Sequence, residues 1–206
     1  MLISVIDLGI NNLTSVLNSF SKPLNSNDSI EVFDSSNSNT PDLLILPGLG
    51  KFSAGMEALE GNNMSYKIIE LTNSGTKLVG ICLGMQLLSE RSAESPNTPG
   101  LGLIEGQCEK LPLSQSEPVP HTGWESIKVS STDHFLSLNS GRDFNFVHSY
   151  HLVPKNKEDI SGITKFGNDC FISVVQKNNL LGVQFHPEKS GQAGIDLVSE
   201  IVAWAR

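Results

Sequence analysis

One stretch, Gly80-Ile81-Cys82-Leu83-Gly84-Met85-Gln86-Leu87-Leu88, limits what this chain can be more than any other. An apolar run of β type, Leu78–Ile81, leads directly into Gly-x-Cys-x-Gly and from there into a helical pattern. A strand that turns this sharply into a helix needs the smallest residues two before and two after the apex. The apex side chain is lifted out of the sheet, and the helix N-terminus favours the thiolate of a cysteine placed there. The backbone N–H of Leu83 is then free to face an oxyanion. A lone cysteine is more often a buried structural residue. The two glycines and the strand-to-helix switch move the balance toward a nucleophile.

Such a nucleophile needs a base, and the base needs a group to hold it. Of His121, His134, His148, His151 and His186, the last stands out, in Gln184-Phe185-His186-Pro187-Glu188 after the apolar run Leu180–Val183. Pro187 biases His186 toward an extended conformation and ends the strand ladder. Residues two apart in extended chain point the same way, so Glu188 can hold one ring nitrogen while the other faces Cys82. Taken alone, His-x-Glu reads first as a surface pair. Leu46-Pro47-Gly48-Leu49-Gly50 also follows an apolar strand. Its glycines permit positive φ, which can turn the Leu49 N–H into a pocket; taken alone it is an ordinary strand-end turn. It lacks the Lys-Ser/Thr ending of a phosphate loop. Nothing has the clustered spacing of a zinc site, so neither metal nor cofactor is expected.

Strand-like runs at Leu2–Ile6, Ile30–Phe33, Leu43–Leu46 and Leu78–Ile81 alternate with helical patterns at Asn11–Phe20 and Phe52–Leu71. Near-continuous apolar strands alternating with helices predict a mostly parallel sheet covered on both faces. Beyond about residue 105 the runs Ile127–Val129, Asn145–Val147, Phe171–Val175 and Leu180–Gln184 are joined by turns such as Asn178-Asn179, which predicts an antiparallel extension. A final amphipathic helix spans Ala193–Trp204, while Asn25–Pro41, Ser92–Gly102 and Leu111–Pro120 read as loops. With 206 residues, the chain is expected to be one domain, 1–206. Its net charge of −8 offers no footprint for nucleic acid or anionic membrane. The apolar start Met1–Ile6 is too short for a signal segment or membrane span. Three widely spaced cysteines fit a reducing, cytoplasmic setting.

In this order along the whole chain, these motifs resemble the class I (triad) glutamine amidotransferases. Gly-Ile-Cys-Leu-Gly-Met-Gln at 80–86 and Phe-His-Pro-Glu at 185–188 are specific for the class. His121-x-Gly-Trp124, Phe146-Val-His-Ser-Tyr150 and Lys189-Ser190-Gly191 are more similar to the glutaminase subunits of imidazole glycerol phosphate synthase. The resemblance implies a flavodoxin-like α/β fold and Cys82, His186 and Glu188 as catalytic triad. It implies an oxyanion hole from the N–H groups of Leu49 and Leu83. It implies that Gly50, Gln86, His148, Ser149 and Tyr150 hold the glutamine. It also implies a (β/α)₈-barrel cyclase as partner, met by Asn12, Trp124 and Lys189, that receives the ammonia for histidine biosynthesis.

Leu8, Asn11, Glu125 and Asn145 depart from the family pattern and are expected near the partner interface. They leave room for a paralogue that amidates a surface sugar. A stand-alone cysteine hydrolase and a catalytically silent binding subunit are the rivals from other classes. The joint presence of Cys82, His186 and Glu188 with Gly84-Met85-Gln86 argues against both.

Overall fold

A computed structural model describes residues 1–10, 12–34, 36, 39–61, 63–111, 118–129 and 139–206. His134, Asn11 and most of the expected loop Leu111–Pro120 lie outside the described residues. In chain order the elements begin β1 (Leu2–Val5), α1 (Leu13–Ser21), β2 (Ser29–Val32), β3 (Leu43–Gly48), α2 (Phe52–Gly61) and α3 (Met64–Asn73). They continue β4 (Lys77–Cys82), α4 (Leu83–Leu87), β5 (Arg91–Ser92), β6 (Ser95–Pro99), β7 (Gly106–Lys110) and β8 (His121–Val129). The last are β9 (Asp143–His148), β10 (Tyr150–Pro154), β11 (Ile160–Phe166), β12 (Asp169–Lys177), β13 (Leu180–Val183) and α5 (Gly191–Ala205).

Among the described residues a nine-stranded sheet runs β2-β1-β3-β4-β13-β12-β11-β8-β9. From β2 to β13 every pairing is parallel; from β13 to β9 every pairing is antiparallel. The parallel block with its antiparallel extension is therefore as the periodicity predicts. The hydrophobic patterning explains why both faces are covered. Side chains alternate along a strand, so Leu43, Ile45, Val79 and Ile81 share one cluster with Val16 and Phe20 of α1 and Leu197 and Ile201 of α5. Leu44, Leu46 and Leu78 point the other way, into a cluster with Phe52 and Met56 of α2, Ile68 of α3 and Leu83 and Leu87 of α4. Each fully buried Leu, Ile or Val contributes about 1.5–3 kcal/mol. That is why strands buried on both sides read as unbroken apolar runs.

Three expectations need correction. The helical stretch from Phe52 to Leu71 is two helices, because α2 ends at Gly61 and Asn63 takes a left-handed conformation (φ 53°) before α3. Ser92–Gly102 is not a plain loop: β5 and β6 form there, in a second sheet ordered β10-β7-β5-β6. β6 is too exposed to carry an apolar alternation, so only the pairing of β5 with β6 and β7 reveals this pair of strands. Thirdly, Leu8, expected near the partner interface, has its side chain in the core instead of on the surface. It is 5% exposed and packed in the core beside Ile6. The Asn178-Asn179 turn does join paired strands, with Lys177 opposite Leu180 and Asn178 at φ 53°. No described helix is long and apolar enough to cross a membrane.

Candidate active site

The parallel pairing of β4 with β3 brings Cys82 opposite Gly48 at the carboxyl edge of the sheet, where open α/β sheets place their ligand sites. Cys82 adopts φ 54° and ψ −108° and caps α4. A non-glycine residue there stores about 1–3 kcal/mol of strain, which the surroundings must hold. The elbow glycines show how tightly they hold it. A Cβ on Gly84 would lie 1.7 Å from the Leu46 carbonyl oxygen, and one on Gly80 would lie 2.7 Å from the Met85 nitrogen. Neither clash can be relieved by turning a side chain, because both partners are backbone. The helix can leave the strand at this angle only over glycine.

His186 follows β13 in extended conformation (φ −104°, ψ 93°), as Pro187 requires. Its backbone N–H donates to the Asn145 carbonyl at 2.9 Å, and the Ser190 hydroxyl donates to its carbonyl at 2.6 Å. The ring is 2% exposed, with Nδ1 2.9 Å from Glu188 Oε1. The surface-pair reading of His-x-Glu is thereby excluded. Its Nε2 is buried and has no hydrogen-bond partner of ordinary geometry. The link to Cys82 is therefore one of charge before it is a formed hydrogen bond. Burial works against the imidazolium, but the Cys82 sulfur and then Glu188 outweigh it, raising the His186 pKa to about 10.

A cleft of about 210 Å³ opens over the sulfur, lined by Leu49, Gly50, Cys82, Leu83, Gln86, Glu94, Val147, His148, Ser149 and Tyr150. It has room for one small molecule. Leu83 sits in the first turn of α4, where a backbone N–H has no intrahelical acceptor. Gln86 is 5% exposed, and its amide donates to the Tyr150 carbonyl at 2.8 Å and to Gln184 Oε1 at 3.1 Å.

Two expectations fail in detail. Leu49 lines the cleft, but its N–H donates to the Ile10 carbonyl at 3.0 Å and does not face the sulfur. A half-buried backbone donor takes the acceptor within reach, and Ile10 supplies one. His148 does not present its ring to a ligand either. Its Nδ1 is 2.8 Å from the Tyr150 carbonyl, its Nε2 is 3.4 Å from His121 Nδ1, and Phe171 packs against it at 4.8 Å. Burial pushes its pKa down to about 3, so it stays neutral. Glu94 was not found from the sequence. It lies in a polar turn between β5 and β6, and its Oε2 accepts from the Phe52 N–H at 2.7 Å. Only the fold carries it to the cleft.

Asn12, Trp124 and Lys189 are all exposed, Trp124 at 53%, so Trp124 is not core. Asn12 caps α1 by accepting from the Ser15 N–H. The turn Pro187–Lys189 packs against both α1 and β9. Among the described residues no group of three or more His, Cys, Asp or Glu could hold a metal.

An elbow-borne cysteine and a buried His–Glu pair beside an open cleft make a site for acyl transfer through a thiolate. The profile of the family "Glutamine amidotransferase class-I" matches residues 5–200, and the chain belongs to that family. A solved structure described as "Crystal structure of glutamine amidotransferase" superposes with TM-score 0.73 over 98% of both chains, at 16% identity, and so shares the fold. Among curated relatives, the imidazole glycerol phosphate synthase subunit HisH of Prochlorococcus marinus is 38% identical, over 99% of this chain and 95% of that protein. The subunit of the same name from Pyrococcus furiosus is 40% identical over 95% of each.

Two measurements test this geometry. Gly84→Ala should destabilise the fold by about 3 kcal/mol or more in denaturant unfolding, since backbone must move to admit the methyl group. Gly61→Ala, with open space around it, should be neutral or slightly stabilising. By NMR, His186 should titrate near 10 in the wild type and lower in Cys82→Ala, where burial is opposed by Glu188 alone. An unchanged midpoint would mean that the sulfur and imidazole do not interact.

Proposed function

We propose that this chain is the glutaminase subunit of imidazole glycerol phosphate synthase, a single amidotransferase domain. It releases ammonia from glutamine and passes it to a (β/α)₈-barrel cyclase in the cytoplasmic pathway to histidine. The observation that carries this reading is the Cys82 sulfur at the apex of the elbow, facing an imidazole whose other nitrogen Glu188 holds at 2.9 Å. The full-length likeness to the HisH subunits supports the choice of partner.

The chemistry follows from the charges. The Cys82 thiolate attacks the side-chain amide carbon of glutamine, and the carbonyl oxygen becomes an oxyanion. The Leu83 N–H at the start of α4 stabilises it. His186, protonated through the neutral range, gives its Nε2 proton to the departing nitrogen, which leaves as ammonia while a thioester forms. The neutral His186 then takes a proton from water, which attacks the thioester and releases glutamate and the thiolate. Glu188 holds the ring throughout. The Gln86 amide and the Glu94 carboxylate suit the amino-acid end of the substrate, with Ser149, Tyr150 and Gly50 completing the wall. His148 acts from behind, holding the Tyr150 carbonyl.

Ammonia released into neutral water is protonated and lost as a nucleophile, so an uncoupled glutaminase would waste glutamine. A peptide flip at Gly48–Leu49 would prevent this. The second oxyanion donor, the Leu49 N–H, is held by Ile10, three residues along the chain from Asp7 and two from Asn12 on the exposed face. Turning the Gly48–Leu49 peptide over breaks one hydrogen bond, a net cost of about 0.5–1.5 kcal/mol, between glycines that tolerate the change. A cyclase docked over Asn12, Trp124 and Lys189 is placed to drive it.

One oxyanion donor is worth about 10²–10³ in rate. The isolated chain should therefore hydrolyse glutamine that much more slowly than the complex with the ligand-loaded cyclase. Equal rates in both states would remove the gate and favour a stand-alone hydrolase. Within the complex, Cys82→Ala should abolish glutamate release and His186→Ala should cost about 10²–10⁴-fold. Glu188→Gln should cost less, because the imidazole remains but is poorly held. Wild-type turnover in Cys82→Ala would refute the assignment.

A further inference from the structure

Gln184 is fully buried directly after β13, and its backbone N–H donates to the Ser173 carbonyl of β12 at 2.9 Å, which anchors its backbone to the sheet. Its Nε2 lies 3.7 Å from Cys82 Sγ, and its Oε1 accepts from Gln86 Nε2 at 3.1 Å. Amide oxygen and nitrogen are interchangeable by shape, so the direction of this chain must come from its hydrogen-bonding logic. That logic allows one answer. The Tyr150 carbonyl can only accept, so Gln86 must turn its NH₂ toward it, at 2.8 Å. The other Gln86 N–H then points at Gln184, which must present its oxygen. Gln184 is left with its NH₂ toward the sulfur. Turned the other way, two NH₂ groups would face each other in the core.

We propose that Gln184 is a further residue of the reaction machinery: a buried N–H donor that stabilises and positions the Cys82 thiolate opposite His186. It rests on the reading of Cys82 as the nucleophile. A thiolate accepts a much stronger hydrogen bond than a thiol does, so such a donor favours the charged form. The Val147 carbonyl, 3.8 Å from the sulfur on the β9 side, acts in the opposite sense, as an acceptor for the S–H form. The sulfur also interacts with His186, with Glu188 behind it, from the segment after β13, while Glu94 from the turn between β5 and β6 lines the same cleft. Neutral His148 backs the wall behind Tyr150. Beside the start of α4, which Cys82 caps, the side chains that favour the anion are those of His186 and Gln184. Because Gln86 both lines the cleft and donates to Gln184, the same chain ties the substrate wall to the nucleophile. The donor is also in place to receive the sulfur when the thioester is hydrolysed and the thiolate leaves.

The test reads the sulfur directly and needs no partner: the rate of Cys82 alkylation by iodoacetamide against pH, followed by peptide mass spectrometry. Gln184→Glu keeps an acceptor for Gln86 but offers the sulfur no N–H in its ionised form; Gln184→Met removes donor and acceptor together. In both, alkylation at pH 7 should fall about 10–100-fold, the worth of one hydrogen bond to a charged group. The pH of half-maximal rate should move upward, while thermal unfolding shows a folded protein. Gln184→Asn, with the amide too far back, should fall between them and wild type. Wild-type pH profiles in either folded variant would overturn the proposal and leave Gln184 as packing. Failure of the glutaminase reading itself would look different: wild-type Cys82 would resist a glutamine-like affinity label while still reacting with iodoacetamide.

Discussion

Everything in the site depends on how closely α4 approaches β3. The Gly84 Cα sits so near the Leu46 carbonyl that no side chain fits between them. That contact lets the chain reverse from β4 into α4 within one residue, and it is what holds Cys82 at φ 54°. The strain at the apex is affordable because the strands on both sides are buried on both faces, as Leu46 and Ile81 are. Loosening the elbow by even a methyl group would lower the sulfur toward the sheet. His186, Gln184 and the start of α4 would then no longer meet at one point.

The second constraint is burial of charge. His186 and Glu188 have side chains 3% and 4% exposed, and an imidazolium so enclosed is expensive unless anions surround it. Here there are two, the Glu188 carboxylate at Nδ1 and the Cys82 sulfur on the other side. His186 is thus held protonated through the neutral range, ready to give a proton to the nitrogen that leaves an amide. The same burial keeps His148 neutral three residues along from Asn145, whose carbonyl receives the His186 N–H. Two histidines in one core region serve opposite ends because their neighbours differ.

Much of this was legible in the residues. The parallel block follows from unbroken apolar runs such as Leu43–Leu46, and the elbow follows from Gly80 and Gly84 around Cys82. His186 and Glu188 follow from the way Pro187 sets the chain between them. Other features depend on long-range pairing that no local pattern reports. β5 and β6 are polar, β6 is exposed, and they hold only by joining β7; Glu94 reaches the cleft because of that second sheet. Whether the Leu49 N–H faces the sulfur or Ile10 is a single peptide orientation, and both are compatible with Gly-Leu-Gly. Likewise a His before Ser-Tyr reads as ligand-binding, while Phe146, Phe171 and His121 in three dimensions claim its ring.

The central claim is that glutamine is cleaved through a covalent bond to one cysteine of three. It is tested most directly by acid-quenching the complex during turnover and locating the γ-glutamyl adduct by peptide mass spectrometry. The account predicts a thioester on Cys82 alone, lost on mild treatment with hydroxylamine, with Cys108 and Cys170 unmodified. Glutamate formed at the full rate with no adduct, or with the adduct on another residue, would contradict it.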